Sequence, residues 1–187
     1  MSVRTTVFRS LHDVGAAAWF GGSLMGAVGV NGAAAAVREP TDRARVAAAG
    51  WGKWAPVNAV ALGAHLIGGA GLLYDNRQRA LHQAGVRANT VSKLVLTGVA
   101  VSATAASAVA GARAAQGDGA PVQGATDPAP ATPPDVAAAQ RRLRYLQWAL
   151  PVMTGSIIVL GAQQGEQQRA PRVVSGVVRT LAQRSVH

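Results

Sequence analysis

Four long runs without a charged residue are the feature that most limits what this chain can fold into. The first follows Asp13 and extends to Val37, and three others occupy residues 54–74, 94–112 and 145–165. A helix of about 20 apolar residues crosses the roughly 30 Å hydrocarbon core of a bilayer, and each run is close to that length. The sequence therefore predicts an all-α integral membrane bundle of four transmembrane helices, with the first span at residues 11–37.

The composition also favours lipid over water as the solvent. Charged residues make up 14% of the 187 residues, below the roughly 25% of soluble proteins. Aromatic residues are 4%, and 22 residues are glycine. Small side chains bury little area in a soluble core, whereas in a membrane they allow helices to approach closely.

The first run could also be read as a cleaved export signal, because Arg4 and Arg9 precede it. The apolar part of such a signal is only about 7–15 residues long. This run continues well past that length, so a retained transmembrane helix is the favoured interpretation.

The segments outside the runs differ from one another in composition. Residues 114–134 are rich in Pro, Ala and Gly, which predicts a disordered or extended loop outside the cytoplasm. The membrane domain is expected to end at residue 168. Residues 169–187 form a basic cytoplasmic tail, either an amphipathic helix on an anionic membrane surface or a disordered segment.

The distribution of basic residues predicts the orientation. Ten of the 18 Lys and Arg residues lie on the side of the N-terminus and eight on the other side. By the positive-inside rule, both termini are expected in the cytoplasm, with the chain in the plasma membrane. The net charge of +10 is explained by arginines at the ends of the runs, where they meet lipid headgroups, so no nucleic-acid partner is expected.

No set of residues with catalytic spacing is present, so the chain is not expected to be an enzyme. The absence of cysteine excludes thiolate metal sites and a cysteine nucleophile, and neither a phosphate-binding loop nor a zinc-protease motif occurs. No cofactor and no metal ion are expected.

Four polar residues in the runs are candidates for a role inside the membrane. His65 lies in the middle of the second run, and intramembrane polar groups are functional candidates by default. It could instead make an interhelical hydrogen bond to Thr97, Ser102 or Thr154. His12 is placed at the cytoplasmic edge beside Asp13, about 15 Å from the depth of His65, which makes the two histidines poor co-ligands.

The other two polar candidates are Asn31 and Asn58, near the opposite edge of the membrane. They could pair in the same way or face lipid headgroups.

Gly22, Gly26 and Gly29 fall on one stripe of the first span. Such a stripe allows a second helix to pack closely. We therefore expect a non-catalytic accessory or assembly subunit whose partners are the lipid bilayer, other membrane subunits or further copies of itself.

The start of the first span resembles small membrane families of the copper-resistance CopD type. The matching positions are His12, Trp19, Gly21 and Gly22. The resemblance implies an alternative function as a haem- or copper-binding redox protein that uses His12, with or without His65. The whole chain also resembles uncharacterised actinobacterial membrane proteins rich in Ala, Gly and Arg.

Overall fold

The computed structural model describes the backbone of residues 3–82 and 84–184 and the side chains of residues 3–77 and 87–163. Helices make up most of it: α1 (Val3–Met25), α2 (Asn31–Ala35), α3 (Arg43–His82), α4 (Ala84–Ala115) and α5 (Pro134–Arg184). The described part of the chain contains no strand, only an isolated bridge between Val122 and Pro128. The all-α prediction is thus confirmed for these residues.

Three helical segments are long and apolar enough to cross a membrane: Arg43–Arg77, Arg87–Ala115 and Pro134–Gln163. They contain the second and third predicted spans and most of the fourth. Their outer faces carry exposed apolar side chains such as Val60, Val95 and Val152. Exposure of this kind suits contact with lipid tails, which are as apolar as the side chains.

The first predicted span is divided among several elements and is not among those segments. The α1 helix contains Arg4, Arg9 and Asp13, and a π-helical turn at Gly26–Val30 joins it to α2. The π-turn inserts one extra residue into the hydrogen-bonding pattern, while the backbone remains helical on both sides. A four-span bundle therefore remains a prediction in its first span.

The α1 and α3 helices run antiparallel and in close contact. At one end the Arg4 guanidinium donates to the Asp75 carboxylate at 2.7 Å, and further along Gly15 lies against Ala61 and His65. Towards the other end of α1, Gly22 lies against Trp54. The two helices thus stay paired from near the start of α1 to near its end.

An apolar layer crosses the middle of the bundle and joins α1, α4 and α5. Its buried members include Trp19, Ala100, Leu150 and Ile157, with Leu62 of α3 packed against them. Alanine is frequent here because helices that meet through small side chains can pack at short distance.

Residues 116–133 connect α4 to α5 and fold into an ordered cap, so the prediction of a disordered or extended segment is wrong. Val122 is 1% exposed, and Ala125 packs against Ala34 and Ala47. The Arg43 guanidinium donates to the carbonyls of Val37, Val122 and Gln123.

Further contacts hold the same cap. The buried Gln140 side chain donates to the carbonyls of Gly124 and Ala125, and Arg144 pairs with Asp127. The carbonyls of the cap are bonded partly by side chains of α3 and α5, which its own composition does not reveal, and partly within the cap, where Thr132 donates to the carbonyl of Pro121.

The backbone of α5 continues as helix through the predicted tail to Arg184. The question of an amphipathic face there lies outside the described side chains.

Candidate functional site

Two histidines and a carboxylate come together between α1 and α3. His65 is 2% exposed, and its ring centroid is 4.3 Å from that of His12. The expectation that these two histidines lie at different depths is therefore wrong.

The depth was misjudged because Asp13 was taken as the edge of the bundle. The Arg4–Asp75 ion pair lies nearer that edge. His12 follows Arg4 by eight residues, or about 12 Å of helix, and His65 precedes Asp75 by ten residues, or about 15 Å. Measured from that pair on antiparallel helices, the two imidazoles reach nearly the same level.

Hydrogen bonds hold both imidazoles through their Nδ1 atoms. His65 Nδ1 lies 3.1 Å from the backbone carbonyl of His12, and since a carbonyl can only accept, this nitrogen carries the proton. His12 Nδ1 lies 2.9 Å from the Asp13 carboxylate. None of Thr97, Ser102 and Thr154, the expected partners of His65, makes this bond: Ser102 and Thr154 donate to carbonyls of their own helices.

Two glycines bring the helices close enough for the bond between His65 and the His12 carbonyl. A Cβ added at Gly15 would lie 2.5 Å from the carbonyl oxygen of Ala61 and 2.6 Å from the backbone nitrogen of His65. A Cβ added at Gly68 would overlap the backbone of His12. No larger residue fits at these two positions without moving backbone. Neither glycine belongs to the predicted stripe of Gly22, Gly26 and Gly29, and sequence spacing alone does not show which glycines meet backbone.

The three glycines of the predicted stripe do not contact the histidine pair. Gly22 and Gly26 receive the indole rings of Trp54 and Trp51, so both are occupied by α3 of the same chain. Gly29 faces the Met25 side chain of its own helix, because the π-turn shifts the register after Met25.

A cavity of about 260 Å³ lies beside the histidine pair, and we call it the histidine cavity. Its lining residues on α3 extend from His65 to Asn76, about 16 Å along the helix. It also includes the side chains of Arg9, Asp13 and Lys93, so one carboxylate and two cationic groups share it with the imidazoles. A cavity with these polar groups in its lining can hold water or a small polar ligand.

The resemblance to CopD-type proteins implies either haem or copper at the histidine pair. Ring centroids 4.3 Å apart are in van der Waals contact, so a porphyrin plane does not fit between the rings. Copper accepts imidazole ligands, and both Nε2 atoms are left for it, with the Nδ1 atoms held as metal-binding histidines usually are. Among the described residues, no three His, Cys, Asp or Glu side chains converge, so the pair offers copper two imidazole ligands and no third ligand of these types.

The two asparagines, Asn31 and Asn58, differ in their hydrogen bonding. Asn31 donates to Gln147 Oε1 at 2.6 Å and accepts from Trp51 Nε1 at 2.9 Å, which links α2 to α5 and α3. Asn58 Oδ1 is buried without a hydrogen-bond partner. His82, which the sequence places on the same side of the membrane as His12, has its side chain outside the described residues.

Comparisons with protein-family models, with curated proteins and with solved structures found no match.

Proposed function

We propose that this chain is a four-span protein of the bacterial plasma membrane. In this proposal α1 and α2 together form a fourth span, in addition to the three helical segments that are long and apolar enough to cross a membrane. The support is the pairing of α1 with α3 over its whole length, from the Arg4–Asp75 ion pair to Gly26 against Trp51. The helical backbone from Val3 to Ala35 is about 45–50 Å long, enough to cross a bilayer. Both termini then lie in the cytoplasm.

Cysteines introduced at Val3 and Glu39 test the first span, since both residues are exposed and the natural chain has no cysteine. In intact cells, an impermeant maleimide should label Glu39→Cys at once and Val3→Cys only after permeabilisation. Ala131→Cys in the cap serves as the reference for the outer side. Labelling of Val3→Cys and Glu39→Cys from the same side would rule out a crossing by α1.

For the molecular role, we propose a non-catalytic accessory or assembly subunit that packs against another membrane protein or a second copy of itself. The observation that carries this proposal is an outward stripe on α3 formed by Pro56, Ala59 and Gly63, on the side opposite α1. A Cβ added at Gly63 would meet no atom of the chain within 4 Å, and Ala59 is exposed. Since lipid gains nothing from small side chains, a face of this kind favours contact with a helix.

Replacement of Gly63 by leucine tests the stripe. The added side chain should hold a partner helix away and reduce the fraction of assembled protein at least tenfold, as measured by native mass spectrometry from a mild detergent. Gly21→Leu is the matched control, because Gly21 is also open but lies among the larger residues Leu24 and Val28. A wild-type chain found only as a monomer, or an assembly unchanged by Gly63→Leu, would refute the proposed role.

A second candidate function, copper binding, is favoured by the His12–His65 contact. Two imidazoles with anchored Nδ1 atoms supply two ligands, and the Asp13 carboxylate bonded to His12 would help to neutralise a bound cation.

This role predicts that the purified protein binds one copper ion with at least a hundredfold loss of affinity in His65→Ala. His82→Ala is the control, since His82 lies at the end of α3. No Soret band is expected in protein purified without added haem, because the rings leave no space for a porphyrin. A copper affinity equal in the wild type and His65→Ala would exclude this second function.

A further inference from the structure

A second cavity, of about 360 Å³, lies on the other side of the apolar layer, between α1, α3, α4 and α5. Three of the four tryptophans of the chain, Trp19, Trp51 and Trp54, line it, and we call it the tryptophan cavity. No charged side chain is among its lining residues. Indole rings and alanines on the walls select for a neutral molecule with a flat apolar surface.

Four residues that line this cavity each have a buried polar atom with no hydrogen-bond partner among the described residues. These atoms are Trp19 Nε1, Asn58 Oδ1, Ser107 Oγ and Gln140 Oε1. Trp19 and Gln140 are each 1% exposed. A buried polar atom without a hydrogen bond costs about 1–3 kcal/mol, so a hydrogen-bonding molecule held beside these four side chains would gain that stabilisation.

The chemistry of these atoms determines what the occupant must offer. The Gln140 amide is oriented by its two bonds to backbone carbonyls, which only an NH₂ group can donate, so its oxygen is the unpaired atom. That oxygen and Asn58 Oδ1 require donors, whereas the Trp19 indole N–H requires an acceptor. A hydroxyl group offers both.

We propose that the tryptophan cavity binds a neutral, membrane-soluble aromatic molecule that carries hydroxyl groups, of the phenol or hydroquinone class. An apolar cavity of about 150 Å³ holds benzene, so a substituted single ring fits in this volume. Exposed residues on both α3 and α4, among them Ala55 and Ala108, line the cavity and leave an opening between these helices. In the proposed orientation, that opening faces the bilayer in which such a molecule dissolves.

The requirement for donors separates a hydroquinone from its oxidised form. A quinone has carbonyl groups that only accept, so it leaves Asn58 Oδ1 and Gln140 Oε1 unpaired. Sites built to bond a hydroxyl reject analogues that lack it much more strongly than sites that distinguish only by shape. The cavity is therefore selective for the reduced, hydroxyl-bearing form.

Three probes test this proposal on the full chain in lipid nanodiscs, by equilibrium dialysis under nitrogen with empty nanodiscs subtracted. Trimethylhydroquinone should bind saturably with one molecule per chain. Trimethylbenzoquinone and the dimethyl ether of the hydroquinone should each bind at least tenfold more weakly, because both lack donors. Equal binding of all three probes, or no saturable binding, would overturn the proposal and indicate that water or lipid occupies the cavity.

Two variants test whether the hydroquinone binds in this cavity. Asn58→Leu and Ser107→Ala each remove an unpaired polar atom, so each should weaken hydroquinone binding at least tenfold while leaving the thermal stability of the ligand-free protein unchanged or higher. Ser102→Ala is the control, since Ser102 lies on α4, is exposed and bonds to Gly98 of its own helix. Binding unaffected by both variants, or a ligand-free protein destabilised by Asn58→Leu, would contradict the assignment.

Discussion

Gly15→Ala and Gly68→Ala should each destabilise the protein by about 3 kcal/mol, the upper part of the range for overpacked cores. The reason is that the added methyl group meets backbone rather than a movable side chain. At Gly15 it would lie 2.5 Å from the Ala61 carbonyl oxygen, so α1 and α3 would have to separate. The measurement is the free energy of unfolding in mixed detergent micelles, followed by far-UV circular dichroism.

Gly21→Ala is the control for both variants. A Cβ at Gly21 meets no atom within 4 Å, and alanine is favoured over glycine in a helix by about 0.5–1 kcal/mol. This variant should therefore be as stable as the wild type or slightly more stable. If Gly15→Ala were equally well tolerated, the close crossing of α1 and α3 would be incorrect.

Arg43→Ala should release the cap formed by residues 116–133. Arg43 donates to three backbone carbonyls, two of them in the cap, and hydrogen bonds from a charged donor are worth about 1.5–3 kcal/mol each. Loss of the two cap bonds should raise the population of the open cap, and with it the rate of proteolytic cleavage there, by at least tenfold.

Arg45→Ala is the matched control, two residues away on the same helix. Arg45 makes an exposed ion pair with Asp42, and pairs of this kind contribute about 0–1 kcal/mol. Its cap should be cleaved at nearly the wild-type rate. A protease-resistant cap in Arg43→Ala would show that Gln140 and the buried Val122 hold the cap without the arginine.

The long helices could be predicted from the sequence because each one contains a long, uninterrupted run of uncharged residues. The second and third predicted spans lie inside continuous helices, and only their ends differ from the prediction. Depth along the first helix was not predictable in the same way. Asp13 was expected at the membrane edge, but its position within α1 depends on Arg4 pairing with a carboxylate 71 residues later in the chain.

The cap and the tryptophan cavity were missed for a related reason. The composition of residues 116–133 contains no sign of Arg43 or Gln140, whose side chains donate to four of its carbonyls. In the same way, nothing near Asn58 in the sequence indicates that its oxygen shares a cavity with Trp19 and Ser107. Both features depend on helices that are distant in sequence meeting in three dimensions.

The π-helical turn at Gly26–Val30 makes the helix register that follows it, as well as residue identity, a condition for one polar contact. The turn holds one residue more than an α-helical turn, so α2 is rotated by about 100° from the register of α1. This rotation brings Asn31 to Gln147 and Trp51. A related chain one residue shorter here could keep the contact with an uninterrupted α-helix. A chain of the same length without the π-turn would keep every side chain named in this contact and still lose it, because the asparagine would be turned away by about 100°.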